Sequence, residues 1–304
     1  MRSQFQIYDV IEAFHDRADR YKCPDRPSPQ QEKANSEDPS VNMFLFSLFL
    51  LLFLPVYAQN CTSSVKSTTS PVATTGFAWD ILATNLSSPR GIIFDSQGRL
   101  LIVQSGTGIL ALTFTNDSCG IVTQTTNVLL NSSLNHGIEF SVDGKTLFAS
   151  SANDAWSWSY NATDASVSNV KLLITNMGGT THSTRTLHVP PLHPNLLVIS
   201  RGSDGNIDPS AATTASGHSQ VKAFDLDNVP SGGYDYSSDG GILAYGVRNE
   251  VGVTSDLAGH VWGVMNSADD LERNGTDISM DNPAEELHYC TLNNIEGWRL
   301  MCSW

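Results

Sequence analysis

Basic residues are scarce in this 304-residue chain: 17 Lys and Arg stand against 31 Asp and Glu, a formal net charge of −14. A surface of that sign repels phosphate backbones and argues against nucleic acid as a partner. Charge of either sign is thin, at 16% of residues against 40% hydrophobic, which points away from a disordered or strongly helical chain and toward a β-rich globular one. No C-x-x-C or Cys/His spacing suited to zinc occurs, and no G-x-G-x-x-G of a nicotinamide or flavin site. After residue 60 no stretch sustains a 3.6-residue period. The longest apolar run, Met43–Leu54, has twelve residues, short of the roughly 20 that a spanning helix needs, so no stable membrane association is expected.

That run has the length of a signal-peptide core, and Val56-Tyr57-Ala58 before Gln59 reads as a cleavage site. Met43 is then the expected initiator, with residues 1–42 an extraneous or disordered extension, 43–58 a signal peptide, and secretion the expected localisation. A short type II anchor is the rival reading. N-x-S/T acceptors at Asn60, Asn85, Asn116, Asn131, Asn161 and Asn274 and an even count of later cysteines, Cys61, Cys119, Cys290 and Cys302, suit an oxidising, extracellular compartment. A Cys61–Cys119 bridge would tie the mature N-terminus to an early repeat.

Four segments repeat one pattern, a strand, a turn with Gly or Pro, and a second apolar strand. They begin at Gly91 (GIIFDSQGRLLIV), Gly137 (GIEFSVDGKTLFA), Thr186 (TLHVPPLHPNLLVI) and Gly252 (GVTSDLAGHVWGV), 46, 49 and 66 residues apart. Hairpins recurring at about 40–50 residues mark the four-stranded blades of a β-propeller. The fold class is therefore all-β, with a propeller domain over residues 59–290. A β-sandwich would not need the same hairpin four times.

Propeller sites form at the central channel, from residues that open each blade. Arg90 precedes the first repeat and His136 the second, while Arg248 and Asn249 precede the fourth. Arg201 ends the third hairpin in a Gly- and Asp-rich stretch that includes Asn206. Such residues serve equally as structural hydrogen-bonders bracing the channel. His188, His193 and His260 lie in hairpins and read as surface residues, His218 is a candidate channel residue, and Trp156 and Trp158 read as packing between blades.

Residues 76–287 resemble the fungal pyrroloquinoline-quinone (PQQ)-dependent pyranose dehydrogenases, a family also described as L-sorbosone dehydrogenase-like. The resemblance rests on Ser88-PRG, Leu134-NHG, Ser200-RGSDGNID, Gly217-HSQVKAFDL, Gly246-VRNEVG, Asn266-SADDL and Asp281-NPAEEL. The sixth and the fifth are also similar, more weakly, to bacterial soluble quinoprotein glucose dehydrogenase. The resemblance implies a six-bladed propeller with PQQ and Ca²⁺ at the axis, of which this chain is expected to hold about four blades, with residues 291–304 a tail foreign to the family. An incomplete ring is expected to be poorly soluble or inactive, and Cys290 to lack its natural partner, with any Cys290–Cys302 pairing incidental. The implied activity is oxidation of a pyranose or keto sugar by hydride transfer to the quinone, with His136 as base. Arg90, Arg201, Asn206, Arg248 and Asn249 are the implied cofactor-binding residues, because a guanidinium matches the carboxylates of PQQ. Asn249 and nearby carbonyls are candidate calcium ligands, with no ligand set defined. A cytochrome, a quinone or a copper monooxygenase is the implied electron acceptor. A calcium-dependent propeller lactonase or esterase and a non-catalytic binding propeller are the alternatives.

Overall fold

The computed structural model describes residues 72–75, 77, 79, 81–115, 121–279 and 285–290, with the backbone of 302 and 303. The expected extension 1–42, the signal at 43–58, the Cys61–Cys119 bridge, Asn60, Asn116, residues 281–284 and most of the tail lie outside them.

Short β-branched and aromatic runs separated by tight turns give strands throughout the described residues, whose helical segments are two 3₁₀ turns, Pro209–Ala212 and Thr214–Ser216. The first blade is a four-stranded antiparallel meander of β1 (Pro89–Phe94), β2 (Leu100–Gln104), β3 (Gly108–Phe114) and β4 (Val122–Leu130). The second has β5 (Leu134–Phe140), β6 (Thr146–Ser151), β7 (Ala155–Asn161) and β8 (Ser166–Thr175). The third has β9 (Leu187–His188), β10 (Leu196–Arg201) and β11 (Gln220–Asp225). The chain then leaves it as β12 (Tyr234–Asp235), which pairs in parallel with β8 of the second blade, and returns as β13 (Gly241–Tyr245). The fourth has β14 (Glu250–Ser255), β15 (Val261–Met265), a two-residue hairpin excursion β16 (Glu272–Arg273) and β17 (Thr276–Asp277), then β18 (Glu286–Cys290) and β19 (Cys302–Ser303). The expected propeller arrangement holds, with β1, β5, β9 and β14 as the innermost strands of four successive blades.

The recurring hairpin has a common cause. In the first blade Asp95 opens a turn closed by Gly98 N–H on the Asp95 carbonyl at 3.0 Å, with Gly98 at φ +75°. Ser141–Gly144 and Asp256–Gly259 repeat it at 2.8 and 3.1 Å, and Pro190–His193 supplies a glycine-free version at 2.9 Å. The Asp side chains cap these turns: Asp95 Oδ1 accepts from the Gln97 and Arg99 amides at 2.9 Å each.

Apolar alternation buries one face of each blade against the next. Leu101, Val103, Ile109, Leu134, Ile138, Trp158 and Tyr160 fill the space between the first two blades. Leu187, Leu197, Ile199, Phe224 and Tyr236 lie between the second and third, and Val198, Val221, Leu243 and Val261 between the third and fourth. Each fully buried Leu or Ile contributes about 1.5–3 kcal/mol. Trp158 lies in this packing with Trp156 beside it, as expected. His188 departs from the surface reading: it is 9% exposed, with Nε2 2.8 Å from Ser255 Oγ and Nδ1 3.3 Å from Glu139 Oε2. Its strand alternation turns it toward the fourth blade. Cys290 is disulfide-bonded, and Cys302 stands opposite it in the β18–β19 ladder.

Candidate functional site

Three of the four inner strands break register where they begin. The irregularity falls between Pro89 and Ile92 in β1, between Leu134 and Ile138 in β5, and between Glu250 and Gly252 in β14. A bulge inserts an unpaired residue and re-aims a side chain that regular alternation would send into the blade interface. Arg90 and His136 sit inside two of these breaks, and Arg248 and Asn249 come just before the third.

The glycines that follow have a steric reason. A Cβ on Gly91 would lie 2.2 Å from the His136 carbonyl oxygen, and one on Gly137 2.2 Å from the Arg185 carbonyl oxygen. Neighbouring inner strands therefore meet backbone to backbone.

His136 is set by this packing. Thr186 Oγ1 lies 3.0 Å from the Val251 carbonyl and 3.4 Å from His136 Nε2. The hydroxyl gives its single proton to the β14 carbonyls, and its oxygen faces the ring. Nδ1 is buried and without a hydrogen-bond partner. Burial, and secondly the charge of Arg90, push His136 down to about 4, so the ring is neutral at neutral pH.

Arg248 Nη2 meets Asp269 Oδ2 at 2.9 Å and Asn206 Oδ1 at 3.1 Å. Asn206 clasps the Asp269 backbone from both sides, accepting from its amide at 2.9 Å and donating to its carbonyl at 2.7 Å. Asn249 Nδ2 donates to Asn266 Oδ1 at 3.1 Å. The Asn266–Asp270 loop, which an Asx-rich sequence is expected to satisfy from its own backbone, is instead gripped by these three residues. Arg248 Nε stays buried without a partner.

Arg201 is placed elsewhere. It is 5% exposed, donates from Nη1 to the Ser216 carbonyl at 3.3 Å, and shares the interface of the second and third blades with Arg185, which is fully buried. Arg185 Nη1 binds the carbonyls of His182 at 2.6 Å and Thr184 at 2.8 Å, and its Nη2 binds that of Gly178. Burial first, then the charge of Arg201, push Arg185 down to about 10. The structure thus gathers Arg90 with His136, and Arg248 with Asn206 and Asn249, while Arg201 braces the loop beside them. His218 binds Asp208 at 2.5 Å.

Sequence reasoning overlooked Arg185, Thr186, Asn135 and His182. Arg185 was findable: it stands immediately before the third repeat, where Arg90 and His136 stand before the first and second. Among the described residues no three His, Cys, Asp or Glu side chains gather as a metal cluster.

The TrAA12-like family pattern matches residues 71–299. The chain belongs to that family. A curated relative, the pyrroloquinoline quinone-dependent sugar dehydrogenase of Hypocrea jecorina (strain QM6a), is 39% identical over 81% of this chain and 59% of its own length. The holo form of the pyranose dehydrogenase PQQ domain from Coprinopsis cinerea superposes with a TM-score of 0.64 at 39% identity, covering 68% of this chain and 51% of that domain. The calcium structure of the Trichoderma reesei Carbohydrate-Active Enzymes Family AA12 protein gives 0.71 at 38%, covering 77% and 60%. This TrAA12-like chain thus spans little more than half the length of these relatives.

The TrAA12-like site residues suit PQQ, a planar tricarboxylate. Arg90 and Arg248 open two of the inner strands, and a buried unpartnered N–H group remains on Arg248.

Proposed function

We propose that the protein is a PQQ-dependent oxidoreductase that oxidises a pyranose or keto sugar. The observation that carries this reading is the neutral His136 set between Arg90 and Thr186 on converging inner strands. PQQ, when bound, supplies the two-electron acceptor for the hydride leaving the sugar carbon. Arg90 and Arg248 hold its carboxylates as charge-assisted donors, and Asn206 with Asp269 keeps Arg248 in place. His136 takes the proton of the hydroxyl being oxidised, which a neutral imidazole does and an imidazolium does not. The family relatives named for PQQ-dependent sugar oxidation support the assignment.

Calcium is part of the proposal: Asn249 Oδ1 and neighbouring main-chain carbonyls are the oxygen ligands of this reading. Secretion also belongs to it, supported by the apolar run at 43–54 and by acceptors Asn85, Asn161 and Asn274 lying exposed. An external cytochrome, quinone or copper monooxygenase then receives the electrons.

The test is to titrate the full chain with PQQ, with and without Ca²⁺, following cofactor absorbance, and then to assay dye reduction with aldoses and 2-keto sugars. Saturable binding and sugar-dependent reduction are expected. His136→Asn should bind PQQ within a few-fold of wild type while kcat falls by about 10²–10⁴. Lactone hydrolysis without PQQ would overturn the reading.

A further inference from the structure

Glu139, His188 and Ser255 meet at the far ends of three inner strands, away from the bulged starts beside which His136 and Arg248 lie. Glu139 is the next-to-last residue of β5, His188 closes β9 and Ser255 closes β14. His188 Nδ1 lies 3.3 Å from Glu139 Oε2, and its Nε2 lies 2.8 Å from Ser255 Oγ. A carboxylate oxygen only accepts, so Nδ1 carries the ring proton and Nε2 offers its lone pair to the Ser255 hydroxyl. The order is hydroxyl, imidazole, carboxylate, with each group supplied by a different blade. That order is the one in which a base activates a serine and a third group orients the base.

The surroundings hold the parts in place. Glu139 Oε1 accepts from the Phe140 amide at 2.9 Å, which fixes the carboxylate. His188 is paired with Val198 in the β9–β10 ladder and its side chain is 11% exposed, while Ser255 is partly open to solvent. The Asp256 amide donates to the His260 carbonyl at 3.0 Å, and pairs in an antiparallel ladder alternate. Ser255, opposite Val261, therefore sends its own amide N–H outward from the free edge of β14, as a donor for an oxyanion. Around this end of the inner strands the hairpin tips are apolar: Phe94, Val142, Leu192 and Leu257 are all exposed. The third and fourth tips touch, since a Cβ on Gly259 would lie 3.1 Å from Leu192 Cδ1. Such a rim offers an acyl chain a surface beside the hydroxyl.

We propose that Ser255, His188 and Glu139 form a serine-hydrolase site for acyclic carboxylic esters, separate from the sugar-oxidising site and needing neither PQQ nor Ca²⁺. Ser255 Oγ bonds to the ester carbonyl carbon as its proton passes to His188 Nε2, and the Ser255 amide receives the oxyanion. The bond from that carbon to the alcohol oxygen then breaks, and His188 returns the proton to the departing alcohol. A water adds to the acyl-serine, giving its proton to His188 Nε2. The carbon–Oγ bond breaks, the proton returns to Ser255, and the acid leaves. Glu139 holds the ring and faces the charge that forms on it.

The test uses the full chain in EDTA without added PQQ, with 4-nitrophenyl esters of two to eight acyl carbons and a fluorophosphonate as covalent probe. Fluorophosphonate attachment at Ser255, located by peptide mass, is expected, together with saturable release of nitrophenol. Ser255→Ala should lose both adduct and turnover while unfolding at the wild-type temperature. His188→Asn and Glu139→Gln should each lower kcat by about 10²–10⁴. In wild type kcat/KM should rise about two- to fourfold per added methylene, and Leu257→Ser should flatten that rise. The wild-type adduct decides the matter even if His188→Asn unfolds early. A folded chain that leaves Ser255 unlabelled, or nitrophenol release that survives Ser255→Ala, would overturn the inference. So would an adduct at Ser255 without ester turnover, which leaves a nucleophile with no deacylation. Because the esters are acyclic and their hydrolysis ends with Ser255→Ala, none of these outcomes bears on the PQQ-dependent reading.

Discussion

Asp95, Tyr160 and Glu250 show how single buried groups shape stability. Asp95 Oδ2 receives Tyr160 Oη at 2.7 Å and Arg99 Nε at 2.8 Å, bolting the first blade's hairpin to the second blade. Burial would raise the Asp95 pKa, but these donors and the two turn amides outweigh it and lower it. Tyr160→Phe strands one carboxylate lone pair and should lower stability by about 1–3 kcal/mol, measured by urea unfolding. An unchanged midpoint would show that solvent replaces the phenol. Glu250 has the opposite character. It is 1% exposed, with His288 Nε2 3.4 Å from its Oε2, and burial first, then Glu286, push it up to about 8 from 4.5. The folded carboxyl keeps its proton until about pH 8, while the unfolded one releases it near 4.5. Unfolding therefore releases a proton between those values, and stability falls as pH rises across that window. Glu250→Gln should flatten the fall, matching wild type near pH 4.5 and exceeding it at pH 8; parallel pH profiles would refute the assignment.

At the level of single strands, the bulged starts of β1, β5 and β14 are what carry side chains into the channel. Gly137→Ala tests them directly, because the added methyl would lie 2.2 Å from the Arg185 carbonyl oxygen and 2.3 Å from Ser150 Oγ. A loss of about 1–3 kcal/mol is expected together with weakened PQQ binding, since His136 must shift with its strand. A stable variant with intact PQQ affinity would mean that the strands do not define the site. The same strands show what a sequence reader can see. Asp-x-x-Gly turns and the repeat they mark were legible, because a left-handed glycine after a capping carboxylate has few other uses. Arg90, His136, Arg248 and Asn249 were legible as residues before a repeat. Arg201 was read by the same light and lies instead in a blade interface, since it ends β10 on the face of Leu197 and Ile199 rather than opening an inner strand. His188 and Thr186 were hidden because their roles come from contacts with Ser255 and Val251, 67 and 65 residues away.

Across the whole propeller, β12 adds a strand pairing between the second and third blades. Its pairing with β8 seats Tyr236 in the interface, fully buried, with Oη 3.0 Å from the Gln220 carbonyl and its amide 3.0 Å from the Thr175 carbonyl. Asn176 Nδ2 adds a 2.7 Å bond to Asp235 Oδ2. The second and third blades should open together, so the amides of 173–175 and 197–199 should exchange with a common free energy. Tyr236→Ala should cost about 3–5 kcal/mol and separate the two exchange rates; independent exchange in wild type would contradict the coupling. The contact of Gly91 and Gly137 with the next strand's carbonyls reaches further still. At those two points the distance between neighbouring inner strands is set by the thickness of peptide backbone, not by the bulk of any side chain. An imidazole or guanidinium on these strands can therefore be exchanged for another group, altering the chemistry, while the strand spacing stays as it is.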